Sequence, residues 1–422
     1  MLRRFLKRVI RHGRLRVVMD GQAPFEVGEP PSGGRPILTL RIKGRLTPLK
    51  LLLNPDLEAG EAYQDGRLVV ENGTLPELLE LVGRNLSERP LSRLQRLAAR
   101  LSSGRTVNGR RAARRNAAHH YDLSGTLYRA FLDQDLQYSC AYFRRGTESL
   151  EEAQLNKKRH IAAKLALAPD QHVLDIGCGW GGMALFLAEA APGVRVTGVT
   201  LSREQLDVAR ERAVRAGLAD RVRFELCDYR DLGGRYDRIV SVGMFEHVGP
   251  THYEAFFQAV RNRLTPTGVA LVHTIGRRAG GGVNPWIARH IFPGGYIPSL
   301  AQIAEAVSAT PLWITDVEVL RLHYARTLDL WRERFMSRRE ELARVYDEPF
   351  LRMWEFYFAA CAMSFRHGDL AVFQVQLAAD VDALPIARDY MMAEEQRLAA
   401  GRRRTLTVVG GVGAPAAPGS GS

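Results

Sequence analysis

The stretch VLDIGCGWGG, residues 173–182, constrains this chain more than any other. Val173 to Ile176 form a short apolar run interrupted by Asp175, the pattern of a buried strand. Gly177, Gly179, Gly181 and Gly182 follow, and residues without a Cβ let the backbone approach a ligand closely before a helix starts near Met183. A dinucleotide fingerprint spaces its glycines G-x-G-x-x-G to seat a pyrophosphate. Here the aspartate lies two residues before the first glycine, and Trp180 interrupts the loop. A glycine-rich turn in an ordinary strand–helix–strand unit is the plainer alternative, but four glycines with the aspartate exceed what such a turn requires. The loop therefore predicts a nucleotide-type cofactor.

At 422 residues the chain exceeds what one hydrophobic core usually serves, which predicts two domains. Its hydrophobic content of 46% is that of a globular protein. No run of about 18 apolar residues is present to span a bilayer. The opening residues, MLRRFLKRVI, are charged throughout and lack the uninterrupted apolar segment and small-residue cleavage site of a signal peptide, so a cytoplasmic protein is expected. Cys140, Cys178, Cys227 and Cys361 are scattered without C-x-x-C spacing, which suggests neither a disulfide framework nor a metal site.

The net charge of +13 is concentrated in two segments. Residues 1–16 carry seven Lys or Arg and no acid, and residues 84–115 carry ten Arg against Glu88 alone. In the first, Leu2, Phe5, Leu6, Val9 and Ile10 recur at helical spacing while Arg3, Arg4, Lys7, Arg8 and Arg11 fill the other positions. Such a basic amphipathic helix suits an anionic membrane surface, where each basic residue contributes about 1 kcal/mol of attraction. A helix whose apolar stripe docks on its own domain, or an RNA-binding arm, would carry a similar pattern. Nucleic-acid readers interleave aromatics with their basic residues, and neither segment has any besides Phe5, so membrane contact is expected and nucleic acid is not.

Residues 1–16 thus read as a membrane-contact helix and 17–83 as a small α/β module. Within and just before it, LRVVMD and ILTLRIKG read as strands, PPSGG as a loop, and LVVENGTLPELLELV as a strand turning into a helix with Pro76 in its first turn. Residues 84–115 form an Arg-rich linker, 116–395 a long α/β domain, and 396–422 a basic then low-complexity, disordered tail.

In the long domain, RVTGVT (195–200) reads as a second strand. Ligands of open α/β sheets sit beyond the carboxyl ends of the strands, which brings Thr200, Leu201, Ser202 and Gln205 to the cofactor. Thr200 and Ser202 equally suit the cap of the helix containing Glu204 to Arg215, and the two roles are compatible. RVRFELCDYRDL supplies a third strand leading to Asp228, Tyr229 and Arg230, and YDRIVSVGMFEHVG a fourth. The D-x-G-x-G loop resembles motif I of the class I S-adenosylmethionine methyltransferases, where the loop lies under methionine and ribose and no phosphate needs a cradle. That class usually places an acidic residue at the end of the second strand, and Thr200 to Gln205 depart from it.

Eight ordered segments carry a closer resemblance: HHYDLS (119–124), YSCAYF (138–143), VLDIGCGWGG, GVTLSREQ, SVGMFEHVG (241–249), HTIG (273–276), FPGGYIPS (292–299) and LHYARTLDLW (322–331). Together they resemble the cyclopropane fatty acyl phospholipid synthases over residues 116–395, and are similar also to mycolic acid cyclopropane synthases and fatty acyl C-methyltransferases. The resemblance implies a Rossmann-like class I methyltransferase domain with helical insertions, preceded by a small α/β lipid-binding domain. It implies S-adenosylmethionine as cofactor, held by Tyr138, Ser139, Leu174, Asp175, Gly177, Cys178, Gly179, Gly181, Gly182, Thr200, Leu201, Ser202, Gln205, Asp228, Tyr229 and Arg230. It further implies bound bicarbonate, with Glu246, His273, Ile275, Tyr324 and the backbone of Cys140 as ligands.

The implied chemistry explains those residue types. A cis alkene is a feeble nucleophile and must be held against the electrophilic methyl group with water excluded. Methyl transfer leaves a carbocation, and ring closure removes a proton from the methyl just delivered, by a base that is not itself alkylated. Glu246 can accept the bicarbonate O–H while His273 and the Tyr324 hydroxyl donate to its oxygens. Singly, Glu246 would read as a solvated residue at a strand end, His273 as a core histidine and Tyr324 as a packing residue; their occurrence in separate ordered motifs sets them apart.

Cys361, in WEFYFAACAMSFR, falls where the family places a cysteine regarded as an active-site residue, although this reaction needs no covalent nucleophile and free cysteine is commonly a small buried hydrophobe. Trp354, Phe356, Tyr357, Phe358 and Phe365 either line an acyl channel or pack as core. The expected partners are a membrane phospholipid with an unsaturated acyl chain, the anionic inner face of the cell membrane, and a second copy of the chain in a homodimer. A fatty acyl C-methyltransferase giving a methyl- or methylidene-branched chain, a non-catalytic lipid-binding protein and an RNA methyltransferase are the alternative functions.

Overall fold

The computed structural model describes residues 1–29, 37–87 and 125–406. The PPSGG loop, the Arg-rich stretch from residue 88, the HHYDLS motif and the tail from residue 407 lie outside the described residues.

The first unit is a four-stranded sheet of β1 (Arg14–Met19), β2 (Phe25–Gly28), β3 (Leu38–Ile42) and β4 (Leu68–Asn72), in the order β2-β1-β3-β4. Alternation sets its face: Leu15, Val17 and Met19 are buried while Arg14, Arg16 and Val18 are not. Helices Leu2–Val9, Thr47–Leu53, Pro55–Gln64 and Leu75–Ser87 accompany the sheet. β2 and the two middle helices carry no sequence pattern singled out above.

The first helix departs in one respect from the expectation for residues 1–16: its apolar stripe is not free for a membrane. Leu2, Val9 and Ile10 are buried in the core and Leu6 packs against it, so the apolar stripe docks on its own module and leaves Phe5 exposed. Burying that stripe on a neighbouring sheet takes it out of water without a bilayer. Arg3, Arg4, Lys7, Arg8 and Arg11 face outward.

The module shares its core with the second unit. Its helices Pro55–Gln64 and Leu75–Ser87 lie along the helix Glu348–His367. The Tyr63 hydroxyl donates to Glu355 at 2.8 Å, and Arg352 donates to the Tyr63 carbonyl at 2.6 Å while lying over its ring at 4.4 Å. The approach is close enough that a Cβ on Gly60 would lie 2.6 Å from the Trp286 ring.

The second unit contains β5 (His172–Ile176), β6 (Arg195–Thr200), β7 (Val222–Leu226), β8 (Tyr236–Val242), β9 (Leu264–Arg277), the short ribbon of β10 (Gly281–Gly282) and β11 (Tyr296–Ile297), β12 (Trp313–Leu320) and β13 (Leu370–Ala378). Seven of these form a sheet in the order β12-β13-β9-β8-β5-β6-β7, parallel from β9 to β7, with β13 antiparallel to both of its neighbours. This is the expected doubly wound, Rossmann-like α/β sheet. Its strand order reverses beside β5, where such sheets open a crevice at their carboxyl edge. The helical insertion falls between β12 and β13 as His323–Ser337, Arg339–Leu342 and Glu348–His367.

The boundary at residue 395 is also corrected. It falls inside the helix Asp389–Leu406, where Leu398 is buried and Arg397 donates to the Ala190 carbonyl at 2.8 Å, so residues 396–406 continue the folded domain. No helix among the described residues is long and apolar enough to cross a membrane.

Candidate active site

β5 ends in the glycine loop, and each glycine does a different job. Gly177 has φ +81° and its N–H donates to the Val199 carbonyl at 2.9 Å, turning the chain at the strand end. Gly181, at φ +83°, precedes the helix Gly182–Ala190, and a Cβ there would lie 2.6 Å from the Phe224 ring. Gly179, at φ +54°, would meet nothing within 4 Å, because it faces an open cavity beyond the ends of β5, β6 and β8.

That cavity collects the residues expected at the cofactor. Tyr138, Ser139, Asp175, Gly177, Cys178, Gly179, Gly182, Thr200, Leu201, Ser202, Gln205, Asp228, Tyr229 and Arg230 all line it. Two of the expected residues do not. Leu174 is wholly buried inside the sheet because successive strand residues point to opposite faces, and Gly181 serves packing against Phe224.

Polar side chains fix the wall. Ser202 accepts from the Gln205 N–H as a helix cap, and Thr200 donates to the Gln205 side chain at 3.0 Å, so capping and lining coincide. Arg230 holds Asp228 through Nε at 2.9 Å and a second nitrogen at 2.6 Å. Asp175 is different: its Oδ2 is buried with no hydrogen-bond partner, and burial lifts its pKa to about 7 against the opposing charge of Lys157. Its unpartnered oxygen is free to accept from a ligand, and with Gly179 open to the cavity these residues fit S-adenosylmethionine.

The residues expected to hold bicarbonate do not line this cavity but adjoin it in the chain and the sheet. Glu246 sits in a 3-10 turn, Phe245–His247, between Met244 and His247, which do line it. Glu246 Oε1 accepts the Ile275 N–H at 2.6 Å, while its Oε2 is buried without a partner. Burial raises this carboxyl to about 7, opposed by the backbone N–H groups of Ile275 and Glu246 and by the Thr274 hydroxyl. His273 pairs in register with Val242, a cavity residue, and burial keeps its imidazole neutral. Gln374 Nε2 meets His273 Nδ1 at 3.1 Å, an arrangement in which a neutral ring carries its proton on Nε2.

Cys140 follows Tyr138 and Ser139 in a loop tied to the helix that carries Tyr324: the Ala141 N–H donates to Thr327 at 3.0 Å and the Phe143 N–H to His323 at 3.0 Å. Tyr324 is buried against Phe365, ring centroids 4.9 Å apart. Burial pushes the Cys361 thiol up to about 12, which makes it a poor nucleophile. Trp354, Phe356, Tyr357, Phe358 and Phe365 are all buried in the core shared with the first unit.

The family model for mycolic acid cyclopropane synthetase matches residues 108–375. The chain belongs to that family. The cyclopropane-fatty-acyl-phospholipid synthase of Escherichia coli K12 is 38% identical over 380 residues, covering 89% of this chain and 94% of the relative. Tuberculostearic acid methyltransferase UfaA1 of Mycobacterium tuberculosis is 40% identical over 332 residues, covering 75% and 77%. Among solved structures, mycolic acid cyclopropane synthase CmaA1 complexed with SAH and CTAB aligns with a TM-score of 0.59 at 34% identity, over 63% of this chain and 98% of that one. As a member of the cyclopropane synthetase family, the protein is an S-adenosylmethionine-dependent methyltransferase.

Several residues outside the expected set also line the cavity. Gln137, Met244 and His247 line it, the last kept neutral by burial that lowers its pKa to about 4. His247 and Met244 lie inside the SVGMFEHVG motif and were within reach of the sequence. Gln374 and Lys157 give no local signal.

Proposed function

We propose that the protein transfers a methylene group from S-adenosylmethionine to the cis double bond of an unsaturated phospholipid acyl chain, leaving a cyclopropane ring. The observation that carries this reading is the second carboxylate oxygen of Glu246, buried without a partner beside the cofactor cavity. S-adenosylmethionine supplies an electrophilic methyl group when bound; Asp175, Ser139, Gln205 and Asp228 hold it in this reading. Bicarbonate supplies a base that is not alkylated. Glu246 Oε2 would accept its O–H, and His273 Nε2 and the Tyr324 hydroxyl would donate to its oxygens. Burial that lowers the His273 pKa and the Ile275 N–H on Oε1 support those roles.

The substrate lies in a bilayer, and the contact face we assign to it is the outer side of the helix Thr47–Leu53. Leu46, Leu49 and Leu53 are 64%, 46% and 76% exposed at positions that share one helix side, and Phe5 of the neighbouring helix is 40% exposed. Lys43, Arg45 and Lys50, with the outward arginines and lysines of the first helix, add positive charge. Apolar side chains among basic residues match an anionic phospholipid surface.

A fatty acyl C-methyltransferase is the second reading, supported by the likeness to UfaA1. Expression in a host with unsaturated phospholipids, followed by mass spectrometry of fatty acid methyl esters, separates a saturated ring from a methyl branch.

A further inference from the structure

Lys157 is wholly buried and has no carboxylate within ion-pair distance among the described residues. A lysine is among the residues least often found fully inside a protein, because both its charge and its flexible stem resist burial. This one spends its donors on two groups: Nζ donates to the Gln137 side-chain carbonyl at 2.8 Å and to the Ser139 hydroxyl at 2.7 Å. Both acceptors line the cofactor cavity. Gln154, nearly one helical turn earlier, grips the same segment from its backbone, its Nε2 donating to the carbonyls of Gln137 at 3.2 Å and Ser139 at 2.9 Å. Burial draws the Lys157 pKa down to about 7 against the pull of the nearby carboxylates Asp133 and Asp135.

The helix Leu150–Lys164 therefore presents two polar side chains to one loop, one fixing its backbone and the other its side chains. Tyr138 lies between the two gripped residues and points its hydroxyl to that of Tyr357 at 3.3 Å. Gln154 holds the backbone of the segment; Lys157 holds the side chains of two residues of the cavity wall, and the Gln137 amide is oriented from its other end by donating to Asp135 at 3.1 Å.

We propose that Lys157 is a positioning residue for S-adenosylmethionine, holding Gln137 and Ser139 in the geometry that receives the cofactor. This rests on the assignment of the cavity to that cofactor. Lys157→Met keeps the volume and removes the donors.

The test is calorimetric titration of the full chain with S-adenosylhomocysteine, beside steady-state kinetics and melting curves. Lys157→Met is expected to weaken S-adenosylhomocysteine binding and raise the cofactor KM about tenfold or more, with the lipid KM and the kcat at saturating cofactor within about twofold of wild type. Ser139→Ala should weaken binding alone yet add little in the Lys157→Met background, because both changes remove the same contact. Unchanged affinity in a folded Lys157→Met protein overturns the proposal, as does a proportional fall of cofactor and lipid constants with lost folded fraction. Should Lys157→Met not fold, wild-type affinity in Ser139→Ala overturns it as well. Failure of the wild-type chain to bind S-adenosylhomocysteine would instead overturn the cavity assignment.

Discussion

Glu246 accepts the backbone N–H of Ile275 at 2.6 Å through Oε1 and keeps Oε2 buried and unpartnered. The two residues come from a turn after β8 and from β9, neighbouring parallel strands, so the sheet itself fixes the carboxylate. One oxygen is used for position, and the other is the one assigned above to the proposed bicarbonate ion.

Glu246→Ala is expected to bind S-adenosylhomocysteine with near wild-type affinity while turnover falls by ~10²-fold or more, the usual cost of losing a preorganised polar group. Added bicarbonate should recover part of the rate. Titration calorimetry with turnover measured across bicarbonate concentrations checks both halves.

The same carboxyl gives a pH signature. Its pKa is raised to about 7 in the folded chain from 4.5. Between those values the folded state holds a proton that the unfolded state releases, so its contribution to stability is full below about pH 4.5 and is lost as pH rises through 7. Relative to Glu246→Gln, which cannot ionise, the ligand-free wild-type chain should lose on the order of 1 to 3 kcal/mol between pH 5 and 8. Denaturant melts of both proteins across that range measure the difference.

The glycine loop separates binding from packing. Gly179→Val projects a side chain into the cavity and strains a backbone at φ +54°, and should abolish S-adenosylhomocysteine binding at some cost in stability. Gly181→Ala drives its Cβ against Phe224 and should cost about 1–3 kcal/mol of stability. Calorimetry and melting temperature, taken on both variants, should show opposite emphases.

The loop was legible because its function requires consecutive residues: strand, aspartate and glycines must follow one another to turn beneath a ligand. The strands β5, β6, β7 and β8 follow from the same local patterning. What the chain did not disclose depends on partners far away in sequence. His273 meets Gln374 across 101 residues, and no local pattern marks that pair. Periodicity showed that Leu2, Val9 and Ile10 need burial but not against what, and the neighbouring sheet supplied the answer. Leu174 was assigned to the cofactor from its place in a motif, whereas strand alternation turns it into the core.

The bilayer face makes its own prediction. Leu46→Asp with Leu49→Asp and Leu53→Asp should release the protein from anionic vesicles at moderate salt, and charge reversal at Arg3, Arg4, Lys7 and Arg8 should weaken binding in a salt-dependent way. S-adenosylhomocysteine affinity should stay unchanged in both sets. Vesicle sedimentation that matches wild type in the leucine variant would remove this helix from the account.

The central claim is that a proton leaves the transferred methyl group to close a ring, and isotopic labelling reads it directly. With S-adenosylmethionine carrying a trideuteromethyl group and unsaturated phospholipid as substrate, mass spectrometry of the product acyl chains should find two deuterons on the bridging carbon of a cyclopropane. Three deuterons retained in a methyl-branched chain would contradict the account.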